Sequence, residues 1–157
     1  MKKTNAIRIL DRAKIKYELI EYQYDPENLD VGHLAKSNGL DVRLVYKTLV
    51  AKGDKTGIVV AVIAGDSTLD FKKLAKASGN KKITLLAVKD LLTTTGYIRG
   101  GCSPIGMKKP FPVFLDAKAA QEPMIYVNAG IRGILVGLNP TELLKLTKSN
   151  YENIICE

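Results

Sequence analysis

Two β-rich runs meet near the middle of this 157-residue chain, Tyr46 to Lys52 and Gly57 to Ala64, separated by Gly53-Asp54-Lys55. A short step bearing glycine and aspartate between two such runs predicts a hairpin. Any fold for this sequence must therefore be built around an antiparallel pair. The other elements do not alternate strictly between strand and helix. Thr4-Asn5 precedes apolar Ala6, Ile7, Ile9, Leu10 and Ala13, which predicts a capped helix. Tyr17 to Tyr22 reads as a strand, Asp25-Pro26-Glu27-Asn28 as a turn, and Val31 to Asn38 as a short helix ending at Gly39. Val42 to Val45 reads as one more turn of helix.

Beyond the hairpin, Asp70 is placed to cap a helix through Ala77, with Gly79-Asn80 as its stop. Ile83 to Leu86 fits strand or helix, and Val88 to Thr93 fits helix. Pro112 to Leu115, Met124 to Asn128 and Ile134 to Leu138 read as strands. Pro140 suits the first turn of a last helix ending near Thr147, and Ile154-Ile155 reads as an edge strand. Runs of strands joined by short turns predict an α/β fold: one domain over residues 1–157, with a curved or barrel-like mixed β-sheet surrounded by helices.

The balance of 24 Lys and Arg against 16 Asp and Glu gives +8 and favours a polyanionic partner. The cations recur near Lys47–Lys55, Lys72–Lys82 and Arg99–Lys109, which suits a charged face assembled by folding. No apolar run approaches the roughly 20 residues of a membrane span, so no membrane partner is expected. Met1-Lys2-Lys3-Thr4-Asn5 leads into no apolar core of a signal peptide. Two distant cysteines, Cys102 and Cys156, make no disulfide framework, and a cytoplasmic location is expected. Monomer and small homo-oligomer fit this composition alike.

Catalytic sets are sparse. His33 is the only histidine and lies in a short predicted helix beside Leu34 and Ala35, where it reads as a surface or packing residue. No Cys or His pairs stand at ligand spacing, so neither a metal nor a cofactor is expected. Cys102 as a nucleophile would need an electropositive neighbour or a base, and only Arg99 is near in sequence. Lys47 interrupts an otherwise apolar strand, sharing a face with Val45 and Leu49. It reads either as a lysine reaching for water or as a fixed ammonium that holds a phosphate or polarises a carbonyl. Thr95 to Lys109 gathers four glycines and the Ser103-Pro104 step. Its Gly100-Gly101 pair reads either as a strand connection or as a loop whose amides face an oxygen-rich substrate. Tyr126 to Gly133 has the same small-residue character beside Arg132.

Five segments occur in order: Tyr22-x-x-Asp25-Pro26; Val45-Tyr46-Lys47-Thr48-Leu49; Leu69-Asp70-x-Lys72-Lys73-x-Ala75; Gly96-Tyr97-x-x-Gly100-Gly101-x-Ser103-Pro104-x-Gly106; and Tyr126-Val127-x-x-Gly130-x-Arg132-Gly133. Together they resemble the YbaK/ProRS-associated editing-domain family, in particular its free-standing Cys-tRNA(Pro) deacylase branch, over nearly the whole chain. The resemblance implies a curved mixed sheet wrapped by helices and a pocket for the 3′ end of a mischarged tRNA, with prolyl-tRNA synthetase as a second partner. It implies cleavage of the ester joining a wrong small amino acid, Cys foremost, to the terminal adenosine. Lys47, Gly100 and Gly101 would serve catalysis. Tyr22, Ser103, Pro104, Asn128, Ala129 and Gly130 would bind substrate.

An ester has a good leaving group, so orientation and carbonyl polarisation can act without a protein nucleophile. In the Cys-specific branch the substrate's own thiol attacks, which accounts for the missing histidine base. Gly133-Ile134-Leu135-Val136 lacks the acid that close relatives place after the Arg-Gly step, and Asn128-Ala129 replaces a common Ser-Gly pair. Specificity for Ala-tRNA(Pro) is therefore one alternative, and a non-catalytic module that binds tRNA or a nucleotide is another.

Overall fold

The computed structural model describes residues 3–157. Met1 and Lys2, at the head of the charged N-terminal stretch, lie outside the described residues. The elements run α1 (Asn5–Arg12), β1 (Tyr17–Glu21), α2 (Val31–Ser37), β2 (Tyr46–Gly53), β3 (Gly57–Ala64), α3 (Phe71–Ser78), β4 (Ile83–Leu85), α4 (Val88–Thr95), β5 (Val113–Asp116), a 3₁₀ turn (Ala117–Gln121), β6 (Ile125–Asn128), β7 (Ile134–Leu138), α5 (Pro140–Thr147) and β8 (Asn150–Glu152). Local chemistry sets many of the boundaries. The Thr4 hydroxyl accepts the Ile7 amide, Asp70 accepts the amides of Lys72 and Lys73, and Gly79 closes α3 in the left-handed region.

β2 and β3 form the hairpin, with Tyr46 opposite Ala64 and Gly53 opposite Gly57. They centre a five-stranded mixed sheet in the order β4-β2-β3-β5-β8, while β1-β7-β6 form a second, antiparallel sheet. The unbroken apolar run of β3 is buried on both faces, as a covered central strand requires. Val60, Val62 and Ala64 enter the main core with α1, β6 and β7 residues. Val59, Ala61 and Ile63 face the opposite core, closed by Leu74 and Ala75 of α3. No helix among the described residues is long and apolar enough to cross a membrane.

The mixed α/β fold with outer helices is as expected, and its sheet is open: the backbones of the two sheets are joined at one parallel bridge, Val45 to Tyr126, where the Tyr126 amide donates to Leu44 O at 2.8 Å. Val42 to Val45 is a turn and not helix. The Asp41 carboxylate takes the Arg43 amide and its carbonyl takes the Leu44 amide, leaving Val45 for the bridge. The edge strand is Asn150–Glu152, beside β5, and not Ile154-Ile155. Those isoleucines are buried, with the Ile154 amide on Asp116 and Ile155 bridged to Leu69. Ile83 to Leu85, ambiguous in sequence, pairs with Ala51–Gly53 as a strand.

One consequence of this topology positions the site. β6 bridges the chain only at Val45, just before β2, and β4 pairs with β2 only from Ala51, extended by the Leu86 amide on Val50 O. Among the described residues, Tyr46 to Leu49 therefore has β3 on one edge and no strand on the other. A cleft opens along that edge.

Candidate active site

The cleft holds about 230 Å³, with the N-terminal half of β2 as its floor. One wall is α2 and the turn before it, contributing Leu29, Val31 and Leu34. The other wall joins Tyr22 to Arg99, Gly100, Cys102 and Asn128. Segments far apart in sequence thus meet where sheet pairing lapses.

Lys47 is half-buried on the floor, opposite Ile63 in the hairpin. Its Nζ donates to Gly65 O at 3.3 Å. Gly65 is itself held by its amide on Val45 O at 2.8 Å, so the hairpin end steers its own lysine. An ammonium has three protons, and this bond uses one. Those left over suit an ester or phosphate oxygen in a partly desolvated cleft, where charge acts more strongly than in water. On the same strand the Thr48 Oγ1 is buried without a hydrogen-bond partner among the described residues.

The Gly100 wall is a closed network. Asn128 Nδ2 donates to Gly100 O at 2.8 Å and to Tyr22 Oη at 3.2 Å. Asn128 Oδ1 accepts the amides of Gly130 at 2.7 Å and Ile131 at 3.1 Å. Arg132 Nε donates to Arg99 O at 2.9 Å, tying the two glycine-bearing loops a second time. Gly100 sits at φ +83°, where a side chain would be strained and would crowd Leu29 and Arg132. Burial is the main reason the Tyr22 phenol lies above its ordinary pKa. Burial likewise pushes the Cys102 thiol up to about 11. It therefore remains protonated near neutrality, the reverse of an activated thiolate.

Of the residues singled out in sequence, Lys47, Tyr22, Gly100 and Asn128 come together on the cleft. Asn128 lines it, but with both amide atoms bonded to protein it positions the wall. Gly101, Ser103, Pro104, Ala129 and Gly130 do not line the cleft itself. The Gly101 amide closes a turn onto Ile98 O at 2.9 Å. Ser103 is fully buried, and its Oγ accepts the Ile105 amide at 3.1 Å. Pro104 lies in a neighbouring apolar hollow with Ile9 and Phe111. The buried Ala129 gives its amide to Ile134 O and takes the Thr4 hydroxyl on its carbonyl. The Gly130 amide is held by Asn128. Their amides and side chains shape the walls because they are consumed by local turns.

Sequence reasoning did not foresee the α2 wall. His33, read as a packing or surface residue, is exposed at the cleft, as are Asp25 and Asp30. Each carboxylate also holds a local amide, Asp25 that of Glu27 and Asp30 that of His33. The cleft that holds Lys47 is thus also bordered by carboxylates. The one available signal was Asp25 at a fixed spacing after Tyr22. Among the described residues, no three His, Cys, Asp or Glu side chains gather as a metal site.

Residues 25–146 match the family model of the aminoacyl-tRNA editing domain. Over 152 residues the chain is 50% identical to an Enterococcus faecalis protein provisionally named the Cys-tRNA(Pro)/Cys-tRNA(Cys) deacylase EbsC, covering 97% of this chain and 93% of that one. It is 30% identical over 90 residues to a proline–tRNA ligase of Thermosipho africanus, covering 57% of this chain and 16% of the ligase. A crystal structure described as a candidate trans-editing enzyme for prolyl-tRNA synthetase shares the fold, with a TM-score of 0.81 at 23% identity over 100% of both chains.

Proposed function

We propose, from the premise that this chain belongs to the aminoacyl-tRNA editing domain family, that it is an aminoacyl-tRNA deacylase removing a mischarged small amino acid, Cys foremost, from tRNA(Pro). In this reading residues 1–157 form one editing domain, working in the cytoplasm alongside prolyl-tRNA synthetase. The observation that carries it is the half-buried Lys47 ammonium on an unpaired strand edge, in a cleft that also presents carboxylates.

The ester carbonyl lies towards Lys47, which stabilises the oxyanion as charge develops. Asp25 and Asp30 receive the α-ammonium, and the Tyr22–Asn128–Gly100 network fixes the opposite wall. With cysteine as the charged residue, its sulfur attacks the carbonyl carbon. A carbon–sulfur bond forms, the ester carbon–oxygen bond breaks, and the thiol proton ends on the departing ribose oxygen. The four-membered thioester then opens in water to free cysteine. Orientation supplies most of the acceleration, since both reacting groups belong to one substrate. Cys102, protonated and half-buried, takes no part.

Deacylation of tRNA(Pro) charged with Cys, Ala or Ser tests the reading. Rapid loss of Cys with Ser retained is the expected result, although the two side chains differ by one atom. Equal rates for Cys and Ser would eliminate the thiol route. Release of Ala alone would assign attack to water and specificity to the apolar lining. No release from any of the three would leave a tRNA-binding module without catalysis.

A further inference from the structure

Lys47 and Leu49 also border a second, shallower hollow of about 240 Å³, completed by Ser67, Thr68, Leu69, Phe71 and Leu85. Phe71 begins α3 yet is 40% exposed, and Leu85 on β4 is 52% exposed. An exposed aromatic facing a hollow is unusual for a side chain with this much apolar area to bury. Val88 and Leu92, four residues apart on the following helix α4, are 61% and 52% exposed. Cations stand at the hollow. The exposed Lys72 follows Phe71, and Lys47 itself lines the hollow. Of the nearby acids, Asp70 is engaged by the amides of Lys72 and Lys73, and Asp66 lies in the turn before Ser67.

An aromatic platform with aliphatic neighbours, hydroxyl-bearing side chains and flanking lysines matches what unpaired nucleobases use: a π-face to stack on and cations for the backbone. Its continuity with the candidate active site through Lys47 fixes where such a strand would lead. We propose that the Phe71–Leu85 ledge is a binding site for an unpaired nucleobase of the RNA acceptor end, stacked on Phe71 while the ester enters the cleft on the other side of Lys47. The placement of the ester rests on the deacylase reading; the ledge itself is a single-stranded RNA site.

The test therefore has two readouts. The first is binding of uncharged, 5′-labelled ACCA RNA by fluorescence anisotropy, which needs no turnover. Phe71→Ala weakens it about tenfold, Phe71→Tyr restores it, and Leu85→Ala gives a smaller loss. The second is KM against kcat on mischarged tRNA(Pro), where Phe71→Ala raises KM about tenfold with kcat within a factor of two. The preference for tRNA over a cysteinyl-adenosine ester, which lacks the stacked upstream bases, narrows by the same factor. Equal ACCA affinity in wild type and a folded Phe71→Ala protein overturns the ledge. So does a wild-type dimer that Phe71→Ala makes monomeric, which would assign the surface to a second copy of the chain. Phe71-dependent ACCA binding without release of any amino acid keeps the ledge and removes the deacylase reading instead.

Discussion

The two ends of β2 are built to opposite specifications. At its C-terminal end Gly53 is buried, with no room for a side chain: an added Cβ would lie 2.3 Å from Asn80. Asn80 is buried and bonded at both amide atoms. It accepts the Lys55 and Thr56 amides at 2.9 Å and donates to Thr56 Oγ1 and Ser78 Oγ. Asp54 then receives the amides of Lys81 and Lys82, and β4 seals the edge. At the N-terminal end the same strand has no neighbour on one edge, a buried hydroxyl at Thr48 with no partner, and one long bond from Lys47. One end has its hydrogen bonds completed inside the protein; the other keeps bonding capacity for something that is not protein. Folding stability is expected to depend on the first end and activity on the second.

The largest expected effect tests that division directly. Lys47→Ala lowers kcat/KM for mischarged tRNA by about 100-fold or more, equivalent to roughly 3 kcal/mol of transition-state stabilisation. The thermal midpoint stays within a few degrees, because the lysine's one protein bond is long and only half-buried. A variant with full activity removes Lys47 from the reaction; one that is inactive because it unfolds erases the contrast between the two ends. Next in size, Asn80→Ala costs about 2–3 kcal/mol in urea unfolding, since it removes the four hydrogen bonds by which the buried Asn80 amide holds the hairpin turn. Its kcat/KM is unchanged wherever the protein is folded. Loss of activity without loss of stability would couple the locked end to the site.

The same contrast explains what the sequence made legible. The hairpin, the caps at Thr4 and Asp70, and Pro140 at the start of α5 all depend on neighbours within a few residues, and each was readable. Val42 to Val45 was misread because Asp41 and the distant Tyr126 decide its conformation. The isoleucines at 154 and 155 carried the stronger β propensity, yet their burial left the edge to the more polar Asn150–Glu152. At the site, Lys47 stood out because a charge broke an apolar strand. The resemblance to a family then chose between its two meanings. Gly100 and Gly101 looked alike in sequence, but Gly100 reaches the cleft whereas the Gly101 amide closes its own turn. Composition cannot separate an amide that faces a ligand from one that faces its own loop. The α2 wall was invisible for a different reason: nothing local to Leu29 or Leu34 records that β2 lies across from them.

The smallest expected effect is the sharpest test of the open end. Thr48→Val replaces a hydroxyl by a methyl of nearly the same size, so packing changes little. A buried hydroxyl without a partner carries a desolvation penalty of about 1–3 kcal/mol, and the Thr48 Oγ1 is in that position. Removing it should stabilise the protein by about 1 kcal/mol in urea unfolding, opposite in sign to Asn80→Ala, which acts on the other end of β2. If kcat/KM on mischarged tRNA falls while stability rises, the missing partner is the substrate, and the strand end trades stability for contact. If activity holds, the hydroxyl is a local cost of leaving the edge unpaired. Destabilisation by more than about 1 kcal/mol would mean that the hydroxyl is already bonded in solution, and this end of β2 would then be as complete as the other.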